Sequence, residues 1–93
     1  MSGHLAGALR PRTTLCFSVL ADADPGVLPR LLELFAKRNL VPDRWHSDRQ
    51  GPAGAELAVD LQVSGLAPET AELIARAMGQ VWGVTQVLLS TKH

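Results

Sequence analysis

The sequence predicts an α+β fold, a four-stranded antiparallel sheet with two helices on one face, and three observations carry that prediction. Segments 14–20 and 56–63 alternate apolar and polar residues with the period of a half-buried strand. The apolar residues around 28–35 and 71–81 recur instead at helical spacing. Glycine, proline and acidic residues punctuate the boundaries, so each element is short and ends sharply.

Strand one places Leu15, Phe17 and Val19 on one side and Thr14, Cys16 and Ser18 on the other. The turn after it carries strong signals for a helix start. Asp24 is a good N-cap, because its carboxylate accepts from N–H groups that the first helical turn leaves unpaired. That role explains Asp24 better than acid–base chemistry with Asp22, a turn residue, because it also explains Pro25, whose fixed φ suits the first helical position. Gly26 lets another molecule come close to the backbone. Bare N–H groups and a partial positive charge at a helix start favour carboxylates, so the turn is suited to a small anion such as an amino acid. The helix then sets Leu28, Leu31, Leu32 and Phe35 on one face and turns Arg30, Glu33, Lys37 and Arg38 to water. Pro29 removes one bond within the first turn and predicts a slightly distorted start.

Strand two is expected over 41–48, where Arg44, His46 and Asp48 share a face and Pro42, which cannot donate to a ladder, marks an edge. Trp45 on that edge is the candidate interface anchor, whereas Trp82, at a helix end, is assigned to packing. A loop at 50–54 leads to strand three, with Leu57, Val59, Leu61 and Val63 inward. Pro68 opens a second helix whose apolar side is Ala71, Ile74, Met78 and Val81, widened by Leu73 and Ala77, with Gly83 as its C-cap. A last strand over 84–90 completes the order βαββαβ, a ferredoxin-like sandwich. Both helices then lie on one face, and the other face stays wet or open to a partner.

At 93 residues and 10.0 kDa the chain holds one domain, read as 13–93 after a loose tail over 1–12. A core of this size gains much from dimerisation. Nine basic residues balance nine acidic ones, so no overall field draws nucleic acid or an acidic membrane surface. No apolar run reaches the ~18 residues that span a bilayer. The one cysteine, Cys16, cannot close an internal disulfide, which fits a reduced, cytoplasmic compartment. His4, His46 and His93 lie far apart and share metal-ligand spacing with nothing, so neither a metal nor another cofactor is expected. No nucleophile elbow or phosphate-cradling loop is present either, and the chain reads as non-enzymatic.

The block from Asp24 through Pro25, Gly26, Val27, Leu28, Arg30, Leu34 and Phe35 to Arg38 and Asn39 resembles the first strand-turn-helix of an ACT domain. Only 25–39 is specific; over 13–91 the match is one of pattern and spacing. In length and layout the chain most resembles the small regulatory subunit of acetolactate synthase, of the minimal type with a single ACT domain. The resemblance implies a homodimer joined edge to edge through strand two. It also implies an amino-acid effector held by Asp22, Ala23, Asp24, Gly26, Val27 and Leu28 of one chain and Val41 and Pro42 of the other. Small subunits that bind valine typically carry a polar residue where Ala23 and Val41 stand here. An amino acid's charged groups left unmatched in a buried site cost ~1–3 kcal/mol or more each.

What the resemblance implies is therefore a regulatory subunit that activates the catalytic subunit of acetolactate synthase in branched-chain amino-acid biosynthesis, with weak or no valine feedback. The alternative it leaves is a free-standing homodimer that senses a small amino acid in the same cleft.

Overall fold

The computed structural model describes residues 13–92, so the expected tail over 1–12 lies outside the described residues. The elements run β1 (Thr14–Asp22), α1 (Val27–Ala36), β2 (Arg44–Gln50), β3 (Glu56–Ser64), α2 (Pro68–Gly79) and β4 (Val84–Lys92), with one 3-10 turn, Pro52–Gly54, in the β2–β3 loop. They form one sheet in the order β2-β3-β1-β4. Every neighbouring pair is antiparallel, as the sequence predicts. β2 and β4 are the edges.

The strand periodicity is realised in full. Leu15, Phe17, Val19 and Ala21 of β1 and Leu57, Val59, Leu61 and Val63 of β3 are buried beneath the helices. From above, Val27, Leu31 and Phe35 of α1 and Ala71, Ile74 and Met78 of α2 close the core. Phe17 and Phe35 meet edge to face, with centroids 5.6 Å apart and planes at 87°, an arrangement that aligns ring edge with ring face. Apolar contact between central strands and helices thus fixes the register on which the turns depend.

Both helices bury a narrower stripe than expected. Leu32 is 47% exposed and Leu73 53%, because each lies about 100° round its helix from the residue that points most directly at the sheet. Arg38 is drawn in instead: it is half-buried, and its guanidinium donates to the Leu34 carbonyl at 3.1 Å.

Five local expectations need correction. Trp82, assigned to packing, is 69% exposed. α1 begins at Val27 with Gly26 as N-cap, so Asp24 and Pro25 form the preceding turn rather than the cap and first helical residue. Pro29 consequently falls third in the helix, where the backbone N–H has no intrahelical partner to lose, and no distortion arises. β2 starts at Arg44, not Val41: the carboxylate of Asp43 accepts from the N–H and hydroxyl of Ser64, at 2.6 and 2.8 Å, and this clasp sets where pairing starts. Gly83 is not the cap of α2, which ends at Gly79 with Gln80 as C-cap. It sits at φ +96 in the turn into β4, a conformation that suits a residue without Cβ.

Candidate ligand cleft and interface

The turn between β1 and α1 is held from three directions. The N–H of Asp22 donates to the carbonyl of Gly83 at 2.8 Å, and that of Ala23 to the carbonyl of Ala55 at 2.9 Å. The N–H of Asp24 closes on the carbonyl of Asp22 at 2.8 Å. Inside the turn, Asp24 Oδ1 accepts from the N–H of Gly26 at 2.8 Å, and the Asp24 carbonyl accepts from the N–H of Val27 at 3.1 Å. Asp24 therefore closes the turn two residues on and does not cap the helix itself.

These bonds change the chemistry the sequence suggests. The amides of Asp22, Ala23, Asp24, Gly26 and Val27 are already engaged, and Pro25 and Pro29 have none to offer. A ligand carboxylate arriving here meets donors occupied by the protein itself, apart from the amide of Leu28 at the second helical position. The nearest cation is Arg30, whose Nη1 donates to the Gly26 carbonyl at 3.3 Å and whose guanidinium occupies the space a side chain at 26 would need. From the sequence Arg30 is an exposed helix charge, solvated or part of a docking surface, and not a residue of the turn. Its i+4 spacing from Gly26 is the signal that would have placed it on the turn.

Asp22, Ala23, Asp24, Gly26, Val27 and Leu28 are brought together at one end of the sheet. Val41 and Pro42 are not with them. Asp22 pairs with Glu56 at the start of β3, whereas Asp43 and Arg44 bond and pair with Gln62 near its end. The six residue steps from Glu56 to Gln62 separate the two groups by about 20 Å at ~3.3 Å per step. Val41, 84% exposed, contributes nothing to the turn of its own chain.

Trp45 pairs with Leu61 and points to the helix-covered face, half-buried against the core at the β2 edge. The open face carries Ser18, whose hydroxyl donates to Asp60 Oδ1 at 3.1 Å, and His46, whose Nε2 lies 2.8 Å from Asp48 Oδ2. Cys16 is half-exposed on the same face. No cluster of metal-binding side chains occurs among the described residues. Nor is any described helix long and apolar enough to cross a membrane.

The ACT-like domain family matches residues 10–93. The chain belongs to that family. Comparison with the curated proteins gives no match. Among solved structures, the ACT domain from the GTP pyrophosphokinase of Chlorobium tepidum superposes with a TM-score of 0.71 at 9% identity, covering 86% of this chain and 100% of that one. The C-terminal domain of the MgtC protein from Mycobacterium tuberculosis gives 0.70 at 11% identity, covering 86% and 87%. An uncharacterised protein from Thermotoga maritima gives 0.69 at 11%, covering 89% and 100%. At these identities the likeness is one of fold. The ferredoxin-like ACT fold expected from the turn and the strand pattern is thereby shown, and it frames the placement just described: an ACT-like domain whose turn is complete and whose proposed second group of ligand residues lies at the far end of the sheet.

Proposed function

We propose that this ACT-like domain is a regulatory, non-catalytic module that works as a homodimer joined through β2. Its partner in this reading is the catalytic subunit of an acetolactate synthase, which it activates with little or no valine feedback. The observation that carries the dimer is the separation of the Asp22–Leu28 turn from Val41 and Pro42. Antiparallel pairing of β2 with β2 of a second copy reverses one sheet end against the other. Each copy's Val41 and Pro42 then stand at the end that bears the other copy's turn. One chain cannot assemble the cleft, and two can.

The engaged amides of the turn support weak effector binding, since a carboxylate would have to displace bonds that already satisfy the backbone. Activation then rests on docking, which shifts the synthase only by the difference in its affinity for the two states of that enzyme. The second reading, a free-standing amino-acid sensor, is favoured by one feature: the Arg30 guanidinium over Gly26 offers a ligand carboxylate a cation at the turn. A thermal scan of the purified chain with each proteinogenic amino acid tests the choice. The leading reading expects no shift with valine, whereas a saturable shift with one amino acid, without any synthase, moves the assignment to the sensor.

A further inference from the structure

We infer that two copies of the chain pair β2 antiparallel in the register centred on Ser47, locked by a ring of alternating histidine and aspartate side chains. The inference rests on the proposed β2 dimer and adds its geometry. A two-fold axis perpendicular to the sheet makes the two strands antiparallel and keeps all four helices on one side. Residues directly opposite must then point to the same face, so the two residue numbers in each pair have the same parity. Few registers remain.

Centred on Ser47, the whole of β2, Arg44–Gln50, overlaps its copy. On the open face His46 then opposes the partner's Asp48, and Asp48 the partner's His46. His46 and Asp48 already meet within one chain at 2.8 Å. The four side chains thus alternate around the axis, each acid between two imidazoles, with Arg44 opposite the partner's Gln50 at either end. On the helix face Trp45 opposes the partner's Arg49, a cation against an aromatic ring. Arg49 is steadied by the bond from its Nε to the Gly54 carbonyl at 3.0 Å.

The neighbouring registers are worse on charge or overlap. Centring on Asp48 sets that carboxylate against itself, and like charges directly opposite destabilise a sheet. Centring on His46 sets Arg44 against the partner's Asp48, but it opposes two imidazoles, shortens the overlap and leaves Arg49 and Gln50 without partners.

The helix layer is continuous with this seam. In a right-handed crossover α1 lies towards β2, and the flank bearing Leu28, Leu32 and Ala36 faces beyond that edge. Leu32, 47% exposed in a single chain, has no cover there. The second copy brings its own α1, antiparallel, against the same stripe. Charge complementarity along the strand and an apolar stripe above it therefore specify one occupant, another copy of this chain. The other edge, β4, is nearly free of charge, with Lys92 its only ionised residue, and encodes no comparable register.

Cysteine cross-linking in the full chain, with Cys16→Ser as background, reads the register directly. Residues opposite one another lie ~4.5–5.5 Å apart at Cα, within disulfide reach, whereas a two-residue slip separates them by ~7–8 Å. Ser47→Cys should give a covalent dimer under mild oxidation. An equimolar mixture of the His46→Cys and Asp48→Cys variants should give the heterodimer in preference to either homodimer. In reduced protein, Asp48→Lys should raise the dimer dissociation constant at least about tenfold in sedimentation without changing the circular dichroism of the fold. Self-cross-linking of His46→Cys but not Ser47→Cys would overturn the register and leave the β2 dimer standing. Cross-linking at Leu88→Cys alone, or a monomer at every concentration, would overturn the β2 dimer itself.

Discussion

Substituting Gly83 by alanine should destabilise the domain, and substituting Gly79 should not. Gly83 lies at φ +96, outside the small left-handed region open to other residues, so an added Cβ costs about 1–3 kcal/mol in backbone strain. The new Cβ would also stand 3.2 Å from Val27 Cγ2, at the buried first residue of α1, where the neighbour must yield. We expect a loss of about 2–3 kcal/mol, or roughly 8–24 °C in melting temperature for a domain of this size. Gly79, the last residue of α2, has nothing within 4 Å of the Cβ position, so alanine there should be neutral or stabilise by up to ~1 kcal/mol. Urea unfolding at one fixed protein concentration measures both, because the proposed dimer would make midpoints concentration-dependent. Loss below about 0.5 kcal/mol for Gly83→Ala, the range of an ordinary surface change, would refute the account of that turn.

Three further outcomes are expected. Phe35→Ala removes a fully buried ring and its edge-to-face partner and should cost about 3–5 kcal/mol, read from the urea midpoint. Asp24→Ala deprives the Gly26 N–H of its acceptor and should cost about 0.5–2 kcal/mol, with faster hydrogen exchange at the Gly26 amide; Asp24→Asn, which keeps an oxygen in place, should recover most of both. Leu88→Gln changes a 56% exposed side chain on the open face and should leave stability within about 0.5 kcal/mol and the sedimentation profile unaltered, since the proposed dimer uses the opposite edge.

The alternation in β1 and β3 made the core legible, because central strands covered on one face leave a strict period-two signature. α1 and α2 were legible for the same reason at the helical period, although the buried stripe stops short of Leu32 and Leu73. β2 was the hardest element to place. Val41 and Pro42 look like the start of a strand, but the start is set by Asp43 bonding to Ser64, a contact of 21 residues' separation that no local pattern encodes. Gly83 misled for a related reason: glycine signals a positive φ, and sequence alone does not say whether a helix cap or a strand entry requires it.

The candidate site divides in the same way. Its turn was legible as a turn, since Asp24, Pro25 and Gly26 are local signals, and in the structure Asp24 closes that turn. That its amides are engaged was not legible, because two of the acceptors, the carbonyls of Ala55 and Gly83, come from distant segments. Nor could spacing reveal that Val41 and Pro42 lie at the far end of the sheet, the placement on which the two-chain cleft depends.

The most direct test is the turnover of the acetolactate synthase catalytic subunit from the same organism as this chain is titrated in, with and without valine. The account predicts a saturable rise in turnover that valine leaves unchanged. Turnover indifferent to the chain at every ratio would contradict the regulatory partnership, and a rise abolished by valine would contradict the weak effector binding inferred from the turn.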